Sequence, residues 1–121
     1  MWGKRLSPSQ QQGRAAELAV LAYLKRQGLK LVQANFSCPA GEIDLIMRAR
    51  DTLVFIEVRE RAGGDYGGAA ASVGPVKQGR IVRAAQVYLQ RFEDEPACRI
   101  DVVTIEGSEI TWLKGAINAP D

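Results

Sequence analysis

The sequence predicts an α/β fold in which one mixed β-sheet is flanked by two helices, in the order αβββαββ. Two segments carry apolar residues at helical spacing, and five shorter segments have the alternation or apolar density of strands. The second helical segment separates the first three strands from the last two. We therefore expect a single domain over residues 1–121, with residues 1–8 and 115–121 as flexible ends.

The first helix is predicted from its terminal signals. Ser7-Pro8-Ser9-Gln10 provides a capping serine, a proline at the first helical position and a capping-box glutamine, and Gly28 provides a stop. Gly13 interrupts the segment, so we expect the regular helix to begin near Arg14. Its predicted apolar face consists of Leu18, Leu21, Ala22 and Leu24.

Three strands are predicted next, at Leu29 to Phe36, Ile43 to Arg48 and Leu53 to Glu60. The last two are separated by Ala49-Arg50-Asp51-Thr52, a four-residue polar loop that indicates a β-hairpin. Residues 62–74 contain five glycines, which predicts a loop long enough to serve a function.

Pro75 opens the second predicted helix, which runs to about Phe92. Two strands follow, Cys98 to Ile105 and Glu109 to Leu113, joined by a turn at Gly107-Ser108. The apolar face predicted for the helix consists of Val76, Ile81, Ala84, Ala85, Tyr88, Leu89 and Phe92.

The amino-acid composition limits the kinds of catalytic group and metal site that the chain can form. The chain has no histidine, which excludes histidine general bases and the familiar zinc sites, so catalysis would depend on carboxylates, lysine or arginine. Cys38 and Cys98 lie far apart and are expected to be partly buried free thiols.

The N-terminus does not resemble a signal peptide and no apolar run is long enough for a bilayer, so we expect a cytoplasmic protein with no membrane association. A net charge of +2 is compatible with a nucleic-acid partner.

The predicted hairpin brings two carboxylates together. If Arg48 pairs with Leu53, Asp44 lies directly opposite Glu57, with Cβ atoms roughly 5 Å apart, and Arg59 shares the face of Glu57. Opposed like charges are destabilising unless a cation or an exposed edge offsets them. Magnesium prefers such oxygen ligands and supports phosphodiester hydrolysis. A solvated ladder of salt bridges is the alternative.

Gly41-Glu42-Ile43-Asp44-Leu45-Ile46, followed by Leu53-Val54-Phe55-Ile56-Glu57-Val58-Arg59, resembles the GEIDLI…LVFVEVK core of the YraN-like family, whose members are predicted to resemble Holliday-junction resolvases. Similarity extends to Asn35-Phe36 and to Arg99-Ile100-Asp101-Val102-Val103. The resemblance implies the restriction-endonuclease-like fold of PD-(D/E)XK nucleases.

The resemblance also implies roles for individual residues. Asp44 and Glu57 would be the principal ligands of Mg²⁺ or Mn²⁺, Glu17 the carboxylate contributed by the first helix, and Arg59 would occupy the lysine position of the E-x-K motif. The carbonyl of Val58 is a further candidate ligand. These assignments make Glu17, Asp44, Glu57 and Arg59 the candidate catalytic residues.

One departure from the family pattern bears on activity. Arg59 stands where lysine is expected, and arginine cannot act as a base, although it can hold a phosphate. Lys77 could supply a lysine from the second helix, or it could be an ordinary exposed lysine. Arg99 and Asp101 share a face of their strand and are expected to form a structural ion pair beside the site.

Basic and aromatic residues near these carboxylates are candidates for nucleic-acid binding. Tyr66, within the glycine-rich loop, could stack on a base. The candidate phosphate contacts are Arg61, Lys77 and Arg80. Solvated, functionally neutral charges are the alternative.

The expected function is metal-dependent hydrolysis of phosphodiester bonds in branched or single-stranded DNA, with DNA favoured over RNA. The alternative that Arg59 favours is a non-catalytic nucleic-acid-binding adaptor. A structural interaction module without a nucleic-acid role is a third reading. A homodimer is expected by analogy with resolvases, and the adaptor would work with a DNA-processing protein partner.

Overall fold

The structure, a computed structural model, describes residues 7–61 and 73–120. It confirms the predicted mixed α/β architecture and element order. The elements are α1 (Pro8–Arg26), β1 (Lys30–Cys38), β2 (Gly41–Ala49), β3 (Thr52–Glu60), α2 (Pro75–Leu89), β4 (Cys98–Glu106) and β5 (Glu109–Ile117).

The five strands form one sheet in chain order, β1 to β5. All neighbours are antiparallel except β3 and β4, which are parallel and are connected through α2. Buried side chains gather in two clusters, one packed against α2 and the other against α1. The helices therefore cover opposite faces of the sheet.

Helix α1 begins at Pro8, and the prediction that it starts near Arg14 is wrong. Ser7 and Gln10 form the reciprocal capping box, which stabilises the first turn despite Gly13. Within the described range, this end of the chain is thus helical from residue 8. Gly28 follows the helix with a φ of 97°, as its predicted role as a stop requires.

The buried face of α1 differs from the predicted one. Ala16, Val20 and Leu24 are buried at a spacing of four residues, whereas Leu18 is 55% exposed and Ala22 is also exposed. In α2 the predicted face is largely buried, except for Val76 at 69% exposed and Phe92, which lies beyond the end of the helix at Leu89.

Several boundaries of the strands and loops differ from the predicted ones. The β2–β3 connection is a two-residue turn, Arg50-Asp51, because Ala49 pairs with Thr52. Strand β5 continues beyond Leu113 to the buried Ile117, so residues 115–117 belong to the sheet and are not a frayed end. Residues 62–72 of the predicted loop lie outside the described residues, and Val73 at its end is buried in the α2 cluster.

Close packing of α2 on β2 positions the candidate site. A Cβ atom at Gly41 would lie 2.7 Å from the backbone oxygen of Arg80. Only glycine therefore permits this approach, which brings the first turns of α2 over the start of β2. Across the part of the chain that the structure describes, neither helix is long and apolar enough to cross a membrane.

Candidate metal and phosphate site

The predicted register of the β2–β3 hairpin is confirmed. Arg48 pairs with Leu53, and the ladder continues to Leu45 opposite Ile56. The next position brings Asp44 to Glu57, where Asp44 Oδ2 accepts a hydrogen bond of 2.8 Å from the backbone N–H of Val58. The Asp44 carboxylate thus takes the place of a ladder carbonyl at the point where this strand pairing ends.

Glu57 is buried and lies between two cations. It is only 2% exposed, so a solvated salt-bridge ladder does not describe it. Lys77 Nζ lies 3.1 Å and Arg59 Nη1 lies 3.7 Å from Glu57 Oε2. Lys77 is therefore both an exposed helix lysine and a partner of the buried carboxylate, and it reaches closer than Arg59.

Burial and the negative charge of Asp44 raise the pKa of Glu57 to about 7, against an opposing influence of Lys77. Two carboxylates held this close, with little water around one of them, favour the uptake of a proton or a cation. Placing the two carboxylates beside each other therefore costs electrostatic free energy in the folded protein.

A cleft of about 590 Å³ opens above the carboxylates. It lies between the start of β2, the end of β3 and the first turns of α2. Of the predicted site residues, it brings together Asp44, Glu57, Lys77 and Arg80. These residues come from three elements, β2, β3 and α2, and Asp44 and Arg80 lie 36 positions apart in the chain.

Glu17 lies in an adjoining hollow that shares Glu42 with the cleft. Burial raises the pKa of Glu17, and the charge of Asp44 raises it further, while a hydrogen bond from the Asn35 side chain and the charge of Arg14 lower it. Glu17 is therefore within electrostatic reach of Asp44. Its role as a ligand stays a prediction.

Asn35 is a site residue to which the sequence reasoning gave no role. Its φ of 55° is unusual inside a strand, although asparagine tolerates this conformation better than other side chains. The neighbouring pairs Ala34–Leu45 and Phe36–Ile43 bracket it beside Asp44. An asparagine near the end of a predicted strand, an element in which this residue type is depleted, was the available signal.

Of the other predicted positions, Arg61 follows β3 and donates its backbone N–H to the carbonyl oxygen of Ile105, and Tyr66 lies outside the described residues. The ion pair of Arg99 and Asp101 is confirmed at 3.1 Å. It lies on the α1 face, however, so the expectation that it flanks the site is wrong, because strand alternation directs it away from Glu57.

The donor set suits magnesium in type and number. Within residues 7–61 and 73–120, no three Asp, Glu, Cys or His side chains converge as a metal cage. Mg²⁺ is commonly held by one or two carboxylates, with water and substrate phosphates completing its shell. Asp44 and Glu57 fit that pattern.

Comparison with known proteins gives the relationship of the chain. A profile described as "Uncharacterised protein family UPF0102" matches residues 16–105. The chain belongs to the UPF0102 family. A UPF0102 protein of Herminiimonas arsenicoxydans is 53% identical over 107 residues, covering 88% of this chain and 86% of that protein. One from Albidiferax ferrireducens is 50% identical over 119 residues, covering 95% and 93%.

The part of the chain that matches UPF0102 contains the whole carboxylate site. It begins at Ala16, directly before Glu17, and ends at Ile105 in β4. Membership of UPF0102 confirms the YraN-like resemblance at the level of the family, while the relation to nucleases stays a prediction.

Proposed function

We propose that this UPF0102 protein is a magnesium-dependent phosphodiesterase that cuts branched or single-stranded DNA in the cytoplasm. The observation that carries the proposal is the pairing of Asp44 with the buried Glu57 at the base of an open cleft. Such an arrangement costs folding energy and creates an oxygen-rich cation site.

The residues around the pair suit a phosphodiester. Lys77 and Arg80 line the same cleft, and Arg59 lies beside Glu57. The positive charges of Lys77 and Arg80 would hold phosphate oxygens and stabilise the negative charge that develops on phosphorus. With Mg²⁺ bound by Asp44 and Glu57, the site would also gain a Lewis acid that activates water. Glu17 would add negative potential on the far side of Asp44.

Lys77 supplies the lysine that is missing from the E-x-K motif, where Arg59 stands instead. A lysine from α2 lies 3.1 Å from Glu57, so the site contains the amine that its E-x-K strand lacks. We assign Lys77 to the phosphate and Arg59 to charge balance at Glu57. Lys77→Gln should therefore reduce cleavage more than Arg59→Lys does.

The test is cleavage of labelled four-way junction, flap, single-stranded and duplex DNA in Mg²⁺ and in Mn²⁺. Asp44→Asn should abolish cutting and weaken Mn²⁺ binding by at least about 100-fold. The exposed Asp94→Asn is the matched control and should leave both unchanged. Cleavage that survives Asp44→Asn would refute the proposal.

A non-catalytic adaptor is the second candidate, favoured by the contacts of Glu57 with both Lys77 and Arg59. Two cations already neutralise this carboxylate and could keep a metal out. The adaptor is supported if the wild type binds DNA without cutting it and shows no Mn²⁺ binding. Gain of cutting by Arg59→Lys would identify the arginine as the cause.

A further inference from the structure

A second candidate site, with a basic lining, lies at the other end of the sheet face that carries the carboxylates. A hollow of about 210 Å³ is lined by Gly28, Lys30, Arg48 and Arg50. This volume is several times the ~30 Å³ that one water molecule occupies in the liquid. The lining contains three cations and no acidic residue.

The positions of these cations in the sheet are electrostatically unfavourable. Lys30 is the direct partner of Arg48 across β1 and β2, and opposed like charges destabilise such a pair. Among the described residues, no carboxylate forms a salt bridge with either of them or with Arg50. The chain therefore holds a concentrated positive charge that an anion would stabilise.

The backbone conformation of Arg50 is a second unfavourable feature of this hollow. It has a φ of 56° at the first position of the β2–β3 turn, where glycine would be unstrained. The turn nevertheless carries a long cationic side chain that lines the hollow. Local backbone preference and charge repulsion thus both oppose the residues found here.

We propose that this hollow binds a phosphate of a nucleic-acid backbone. Arg48 lies four residues along β2 from Asp44 and, by strand alternation, on the same face. At about 3.3 Å per residue the separation is about 13 Å, or about four steps along one strand of a duplex. One nucleic acid could therefore reach both sites. Nucleic acid as the source of the phosphate rests on the proposed function.

The test is binding of a fluorescently labelled 20-base-pair duplex at several salt concentrations, in EDTA so that no cutting occurs. Lys30→Gln combined with Arg48→Gln should weaken binding and lower the slope of log K against log salt by about 0.9, the value for the loss of one phosphate contact. The control Lys114→Gln removes one positive charge from β5, the strand at the other edge of the sheet, and should leave the slope unchanged.

Arg50→Gly separates binding from folding. It relieves the backbone strain, so its melting temperature should equal or exceed that of the wild type while DNA binding weakens. Unchanged affinity and slope in both the double variant and Arg50→Gly would overturn the proposal. So would charge-dependent binding to phosphatidylglycerol vesicles with no effect on DNA, since the site would then be a membrane contact.

The outcomes distinguish this proposal from the proposed function. Cutting that depends on Asp44, together with an unchanged salt slope in the double variant, would reject the phosphate hollow and keep the nuclease. A reduced slope in a protein that never cuts DNA would reject the nuclease and keep the hollow as part of a nucleic-acid-binding surface.

Discussion

Neutralising Glu57 should stabilise the protein at alkaline pH. Its pKa is raised from 4.5 to about 7, chiefly by burial and by Asp44, so the folded protein holds this proton more tightly than the unfolded chain does. Wild-type stability therefore falls as the pH rises between these two values and stays lower above them. The attraction of Lys77 is already included in the raised pKa.

The magnitude follows from the shift. At 1.36 kcal/mol per pKa unit, ionised Glu57 costs about 3 kcal/mol of folding free energy at about pH 8.5 and less than about 1 kcal/mol at about pH 5. Glu57→Gln resembles the protonated form. It should raise the free energy of unfolding by about 3 kcal/mol at the higher pH and by much less at the lower one.

Urea denaturation at both pH values measures this difference. The exposed Glu93→Gln serves as the control and should change stability little at either pH. An equal effect of Glu57→Gln at the two pH values would refute the reasoning. A loss of stability at alkaline pH would show that the contacts of Glu57 with Lys77 and Arg59 outweigh its burial and the repulsion of Asp44.

Two further predictions concern the scaffold and are measured by urea denaturation. Gly41→Ala should destabilise the protein by about 2 kcal/mol, because the new Cβ meets the Arg80 backbone oxygen, whereas Gly13→Ala meets nothing and should stabilise it by about 0.5–1 kcal/mol; equal effects would contradict this packing. Asp101→Ala should cost about 3–5 kcal/mol and shift the fluorescence of Trp112, which donates to the buried carboxylate at 2.8 Å. Unaltered fluorescence would show that this hydrogen bond does not form.

The elements and the hairpin register were predictable because they depend on local information. The capping box at Ser7 marks the start of α1, although Gly13 led to the wrong prediction of a start near Arg14. Alternation in β2 and β3 determines which side chains face each other. Asp44 and Glu57 were placed together by this reasoning. The turn was misjudged because Arg50 occupies a conformation that its residue type disfavours.

The burial of Glu57 and its contact with Lys77 were not predictable in this way. Both depend on how closely α2 packs on the sheet, and that distance is set by Gly41 against Arg80. The two segments are distant in the chain, so no sequence spacing reports their approach. The same limitation explains the face of α1, where Ala16 is buried and the larger Leu18 is exposed.

Four features oppose local structural preference, and all lie on or beside β2. Asp44 with Glu57 and Lys30 with Arg48 are like-charge pairs. Asn35 has a left-handed backbone inside a strand, and Arg50 has one in the β2–β3 turn. A sequence shaped only by stability would replace such residues, since stabilising substitutions are easy to find. All of them lie on the β2–β3 hairpin or on β1 beside it, with negative charge at one end and positive charge at the other. A ligand that binds a metal ion and also carries a chain of negative charges would require this arrangement. A phosphodiester backbone has both properties.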